Sequence, residues 1–202
     1  MLKKEKKGAK KDFLEVGAES DGTKIRKVGP WGGHGGSSWD DGTFTGVREI
    51  TLVYDSCIDS IRVEYDKGGK KVLAEKHGGN GGNYTANPTV YQVKLQYPGE
   101  ILTGVSGHYD PMPAGGTPVI RSLTFQSNKK IFGPFGVEEG TPFTFPINGD
   151  IVVGFTGRSG WYLDSIGLRL SRRRPKSLLQ LLQKILKTIL CGRATMSKAS
   201  EK

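Results

Sequence analysis

"YDSCIDSIRVEY" (residues 54–65) and "SGWYLDSIGLRL" (residues 159–170) are two versions of one pattern. In their common register Asp59 matches Asp164, and Ser60-Ile61 match Ser165-Ile166. "TPVIRSLTF" (117–125) falls on the same frame, with Arg121 where the other two copies carry aspartate. Glycine-rich turns recur alongside them: "WGGHGG" (31–36), "HGGNGG" (77–82) and, less closely, "FGPFG" (132–136). A unit present three times implies a body with approximate threefold symmetry.

The sequence around the repeats reads as β throughout. "VREITLVY" (47–54), "IDSIRVEY" (58–65), "VYQVKLQY" (90–97), "ILTGVSGHY" (101–109), "VIRSLTFQS" (119–127), "FTFPI" (143–147), "DIVVGFTG" (150–157) and "SIGLRLS" (165–171) are rich in β-branched and aromatic residues. Gly, Pro, Asn and Asp separate them, and several alternate with the period of two that half-buried strands require. Glycine, at 30 of 202 residues, is about twice its usual share, which suits many tight turns. No segment before residue 172 has a helical period. The expected body is all-β: a sandwich, barrel or prism.

Charge divides the chain into three parts. Residues 1–27 carry nine Lys/Arg against five Asp/Glu, residues 172–202 nine against one, and residues 28–171 twelve against fourteen. The net charge of +10 therefore sits in the tails, and the body lacks the basic footprint of a nucleic-acid binder. Residues 1–23 read as a basic extension without fixed structure, residues 24–171 as the domain, and residues 172–202 as a basic tail. In that tail Leu178, Leu179, Leu181, Leu182, Ile185, Leu186, Ile189 and Leu190 share one half of a helical wheel, with Gln and Lys opposite. Such a helix, over residues 176–190, suits self-association, an anionic membrane surface or a helix-binding partner. The lysine-rich start has no apolar run behind it, so a secretory signal is not expected and a cytoplasmic or nucleocytoplasmic location is. Two cysteines, Cys57 and Cys191, imply no disulfide framework.

Catalytic and metal signatures are weak. His34, His77 and His108 sit in Gly- or Pro-rich turns, and the adjacent carboxylates Asp40-Asp41 and Glu138-Glu139 are not spaced for joint acid–base work. No zinc, calcium or phosphate-loop motif occurs. No enzyme activity, metal or cofactor is expected. The remaining feature is the segment "GRSGWYLDSIG" (157–167), which holds one carboxylate, Asp164. A carboxylate accepts several hydrogen bonds and donates none. Vicinal sugar hydroxyls are paired donors at a spacing one carboxylate bridges, and glycine turns present backbone N–H groups at close range. Aromatics such as Trp161 and Tyr162 can cover an apolar sugar face. On spacing alone, the simpler reading is that Asp164 caps a turn.

At these residues the sequence resembles the jacalin-related lectins, on "KVGPWGGHGGSSWDDG" (27–42), "GVREITLVY" (46–54), "IRSLTFQSN" (120–128), "FGPFGVEEGTPF" (132–143) and "IVVGFTGRSGWYLDSIGLRL" (151–170), in family order. The resemblance implies a β-prism of three four-stranded Greek-key sheets and a non-catalytic carbohydrate-binding function. It places the sugar between Gly35, Gly36 and the loop Gly160, Trp161, Tyr162, Leu163, Asp164. The N–H groups of Trp161 and Tyr162 would hold the ring oxygen and exocyclic hydroxyl, and Asp164 would accept from two hydroxyls. The first loop resembles the uncleaved, mannose/glucose-specific branch rather than the cleaved, galactose-specific one. Repeat symmetry extends the expectation to a second, weaker pocket at Ser56, Cys57, Asp59 and Gly82, and leaves the Arg121 copy empty. Mannose- or glucose-containing glycans are the expected ligands, and a homo-oligomer the expected assembly. The alternative is an adaptor that binds a protein or membrane through residues 176–190, with the prism as scaffold.

Overall fold

The computed structural model describes residues 15–18, 24–79, 89–112 and 115–172. It contains thirteen strands: β1 (Glu15–Ala18), β2 (Lys24–Gly32), β3 (Ser37–Asp40), β4 (Gly46–Tyr54), β5 (Ile58–Lys67), β6 (Lys70–Gly78), β7 (Thr89–Lys94), β8 (Leu102–Met112), β9 (Gly115–Ser127), β10 (Ile131–Gly136), β11 (Thr141–Pro146), β12 (Asp150–Ser159) and β13 (Leu163–Arg172). They form three antiparallel sheets, ordered β1-β2-β13-β12-β3, β6-β5-β4-β7 and β10-β9-β8-β11. The arrangement is the expected β-prism, with one addition. Strand β1 lies within the segment expected to be an unstructured extension, and it pairs with β2 from Glu15↔Lys27 to Ala18↔Lys24. It satisfies backbone groups along half of an edge that would otherwise be open. The helix expected at residues 176–190 lies outside the described residues.

The threefold repeat holds at single residues. Gly32 pairs with Ser165, Gly78 with Ser60 and Gly136 with Ser122. These three glycines have φ of +119°, +105° and +81°, a region closed to most side chains. Any Cβ there would also overlap the carbonyl oxygen of Asp164, Asp59 or Arg121 respectively. The next residue in each copy, Gly33, Gly79 or Val137, donates its N–H to that same carbonyl at 2.8, 3.1 and 3.0 Å. Leu163, Ile58 and Ile120 are fully buried at matching positions, as are Ile166, Ile61 and Leu123.

The inner faces of the three sheets meet in one apolar core, centred on residues such as Phe125 and Phe155, whose rings meet edge to face at 6.4 Å. Burying each such aromatic contributes on the order of 2 kcal/mol. Two sheets are also clasped by polar groups. Tyr65 of β5 donates its hydroxyl proton to Asp41 and accepts from the Phe155 N–H at 3.1 Å. His77 Nε2, at the end of β6, lies 2.6 Å from Asp41 Oδ1, and its ring stacks on Trp39 at 3.9 Å between centroids. This clasp fixes the end of β6 against the first sheet.

Candidate functional site

The glycine turns and carboxylate loops gather at one end of the prism, where β2 ends and β12 turns into β13. The β12–β13 turn is closed by the Gly160 N–H, which donates to the Tyr162 carbonyl at 3.0 Å. Strand β13 then starts with Leu163, whose side chain is fully buried. The period of two that buries Leu163 orients the next residue, Asp164, differently. Leu163, expected among the sugar contacts, is thus a core anchor for the loop rather than a side-chain ligand.

Asp164 is the centre of the site. It is only 6% exposed, and its Oδ2 is buried without a hydrogen-bond partner among the described residues. Burial pushes its carboxyl above the usual carboxylate range, against the opposing pull of the Gly160 N–H and Arg158. A buried oxygen so placed is able to accept a hydrogen bond from a ligand. Glycines crowd it. A methyl on Gly35 would overlap Asp164 Oδ1 and come within 2.6 Å of Thr117 Oγ1. A methyl on Gly36, whose φ is +55°, would overlap the Ser159 carbonyl and lie 2.6 Å from the Gly160 nitrogen. A methyl on Gly160 would sit 3.4 Å from Gly36 Cα and 3.7 Å from Asp164 Oδ2. Gly35, Gly36, Gly160 and Asp164 are therefore brought together as expected. Trp161 is 75% exposed on the rim, and Tyr162 is half-buried.

Two residues here were not singled out in the sequence. Arg158 donates from Nε to the Gly35 carbonyl at 2.8 Å and from Nη2 to the Gly36 carbonyl at 2.6 Å. It ties the first glycine turn to β12, and its signal was its position as the one cation in residues 151–167. Thr117, from the third copy, reaches the site only through the fold, and no local pattern marks it.

The second copy repeats the turn. The Asp55 N–H donates to the Cys57 carbonyl at 3.1 Å, as Gly160 does to Tyr162. Asp59 is 3% exposed, and its Oδ2 also lacks a partner among the described residues. Burial, and then the nearby Asp55, raise its carboxyl above the usual range. Cys57 is buried with Sγ 3.9 Å from Asp59 Oδ1, and burial followed by the Asp59 charge pushes its thiol up to about 12. Ser56 lies beside them, while Gly82 lies outside the described residues. In the third copy Arg121 is 5% exposed. Its guanidinium donates to Ser56 O at 3.0 Å, Pro111 O at 3.4 Å and Glu139 Oε2 at 3.2 Å. That copy presents a hydrogen-bonded cation where the others present an acceptor.

Among the described residues no group of three or more His, Cys, Asp or Glu side chains is placed to hold a metal ion, and no helix is long and apolar enough to cross a membrane.

Comparison with known proteins agrees with this architecture. The family model for the jacalin-like lectin domain matches residues 28–169. Jacalin-related lectin 19 of Arabidopsis thaliana is 63% identical over 157 residues, covering 78% of this chain and 86% of that protein. A galactose-specific lectin of Morus indica is 40% identical over 148 residues, covering 71% and 90%. Among solved structures, a mannose-specific jacalin-related lectin from Morus nigra in complex with mannose superposes with a TM-score of 0.68 at 40% identity, covering 83% of this chain and 99% of that one. A mannose-binding lectin from Champedak gives 0.67 at 46% identity, covering 71% and 95%. The threefold prism, the corner loops and these matches together make the chain a member of the jacalin-related lectin family.

Proposed function

We propose that this lectin binds mannose- or glucose-type pyranoses at Gly35, Gly36 and Gly160–Asp164, without catalysis. The observation that carries the reading is the buried Asp164 oxygen that lacks a hydrogen-bond partner among the described residues, beside Gly35 and Gly36, where a methyl would overlap Asp164 Oδ1 and the Ser159 carbonyl. Two adjacent sugar hydroxyls would donate to it, and loop N–H groups would hold the ring oxygen. The mannose/glucose type is favoured over the galactose type by the resemblance of the first glycine turn to the uncleaved branch of the family and by the superposition of mannose-binding lectins from Champedak and Morus nigra at 46% and 40% identity. Binding of one monosaccharide at so shallow a site is on the order of millimolar. The test is a mannose column: the full chain is retained and eluted by free mannose, and Asp164→Asn flows through. Retention of the Asn variant would refute the assignment.

A second, weaker pocket is proposed at Ser56, Cys57, Asp59 and Gly82, supported by the duplicated turn and by the Asp59 oxygen that lacks a partner among the described residues. Calorimetry with a stoichiometry of one sugar per chain would remove it. For residues 176–190 the amphipathic pattern supports self-association. Cutting the chain after Ser171 should lower the sedimenting mass and leave sugar binding unchanged.

A further inference from the structure

We infer that Gly79, in the second copy, is a positioning residue for the sugar site of the first. The inference rests on the proposed reading of that site. The three corner loops are linked in a cycle. A methyl on Gly33 of the first copy would overlap the Pro118 carbonyl of the third. A methyl on Gly79 of the second copy would overlap the Trp161 carbonyl of the first and lie 3.1 Å from that carbonyl's carbon. Trp161, Pro118 and Ser56 are equivalent residues of the three carboxylate loops. At the last position of the cycle Val137 replaces glycine, and Ser56 O accepts from Arg121 instead.

The backbone of Gly79 thus rests directly against the peptide group that joins Trp161 to Tyr162, whose N–H the sugar would use. Gly79 cannot easily retreat. Its N–H is held by Asp59 O at 3.1 Å, and its carbonyl accepts from Lys76 Nζ at 3.3 Å. Two residues earlier, His77 is fixed by Asp41 and Trp39. Space for a side chain at residue 79 would therefore come from moving the Trp161 peptide, and the Tyr162 N–H would move with it. Unlike Gly78, Gly79 does not have a positive φ, so alanine at this position tests the contact and not the backbone conformation.

The experiment is mannose titration of the full chain and of Gly79→Ala, with amide NMR spectra of both in the absence of sugar. The expected result is affinity weaker by about tenfold, the equivalent of one misplaced hydrogen bond, together with displaced Trp161 and Tyr162 amide resonances. An affinity equal to the parent's overturns the inference. If the parent binds no mannose, the function reading fails by itself, and the sugar-free spectra still decide the contact: unmoved Trp161 and Tyr162 amides overturn it, and displaced ones support it. Should the variant not fold, hydrogen exchange on the parent is decisive. Mannose should slow exchange of the Gly79 N–H, which bonds only within its own copy, and an unchanged rate overturns the inference.

Discussion

The loops Gly160–Asp164 and Asp55–Asp59 share a backbone turn, a buried aspartate and a carboxylate oxygen without a partner among the described residues. They differ in what stands before the carboxylate. In the first loop that space is bounded by glycines and an exposed tryptophan. In the second, the Gly160 position is Asp55, the Tyr162 position is the buried Cys57, and the thiol leans on Asp59 Oδ1. The lesson is that a carboxylate alone does not make a sugar site. Absent side chains around it are equally part of the clamp.

The largest expected effect separates the two aspartates. Asp164→Asn should weaken mannose binding by about a hundredfold or more, because charge-assisted hydrogen bonds contribute roughly 1.5–3 kcal/mol each. Asp59→Asn should leave the tighter site unchanged. Equal losses in titration calorimetry would erase the distinction. A smaller effect follows from closing the first pocket. Gly35→Ala pushes a methyl against Asp164 Oδ1 and Thr117 Oγ1, and should lower affinity on the order of tenfold, about one lost hydrogen bond, while circular dichroism stays that of the parent.

Acidification sharpens the comparison further. Burial raises both carboxyls above their ordinary value, near 3.9 for aspartate. In the proposed site the Asp164 acceptor must be ionised, so affinity should begin to fall at a pH above that ordinary value. Fold stability should respond with the opposite sign. A raised carboxyl contributes stability fully below its unfolded value, and that contribution is lost as pH rises through the folded value. The melting difference between parent and Asp164→Asn, or Asp59→Asn, should therefore shrink as pH falls. A difference constant with pH would contradict the buried-carboxylate account. The smallest effect is at neutral pH. Asp59→Asn should stabilise the fold by about 1 kcal/mol, by removing a buried charge, and scanning calorimetry would detect it.

The carboxylate loops are legible because three copies of a short motif fix their mutual register within the sequence itself. The outer strands were not. β2, β6 and β10 are equivalent members of the three sheets, and none was read as a strand. Each ends at its glycine turn, and β2 and β10 also carry an internal Gly-Pro, at Gly29-Pro30 and Gly133-Pro134. Glycine and proline erase the alternating pattern, yet an outer strand tolerates them because one side of its backbone has fewer ladder partners to lose. The pairing of β13 with β2 slips between Ile166 and Leu168, and that of β9 with β10 slips near Pro134. β1 was hidden for another reason: its residues sit in a lysine-rich context, and among the described residues its only ladder partner is β2. Thr117 and Gly79 reach the sugar loop by packing between copies, which no local spacing encodes.

The first sheet joins the beginning of the domain to its end, since β2 pairs with β13 across most of the chain. Contacts so distant in sequence form late, because a long loop must be closed before they contribute any stability. During synthesis the second and third sheets can assemble from contiguous segments, while β2 waits for a partner translated about 130 residues later. The proposed sugar site straddles that final seam, with Gly35 and Gly36 on one side and Asp164 on the other. A chain interrupted before β13 would have no site at all, so glycan capture reports on completed folding. A bound sugar would in turn slow the reopening of the seam.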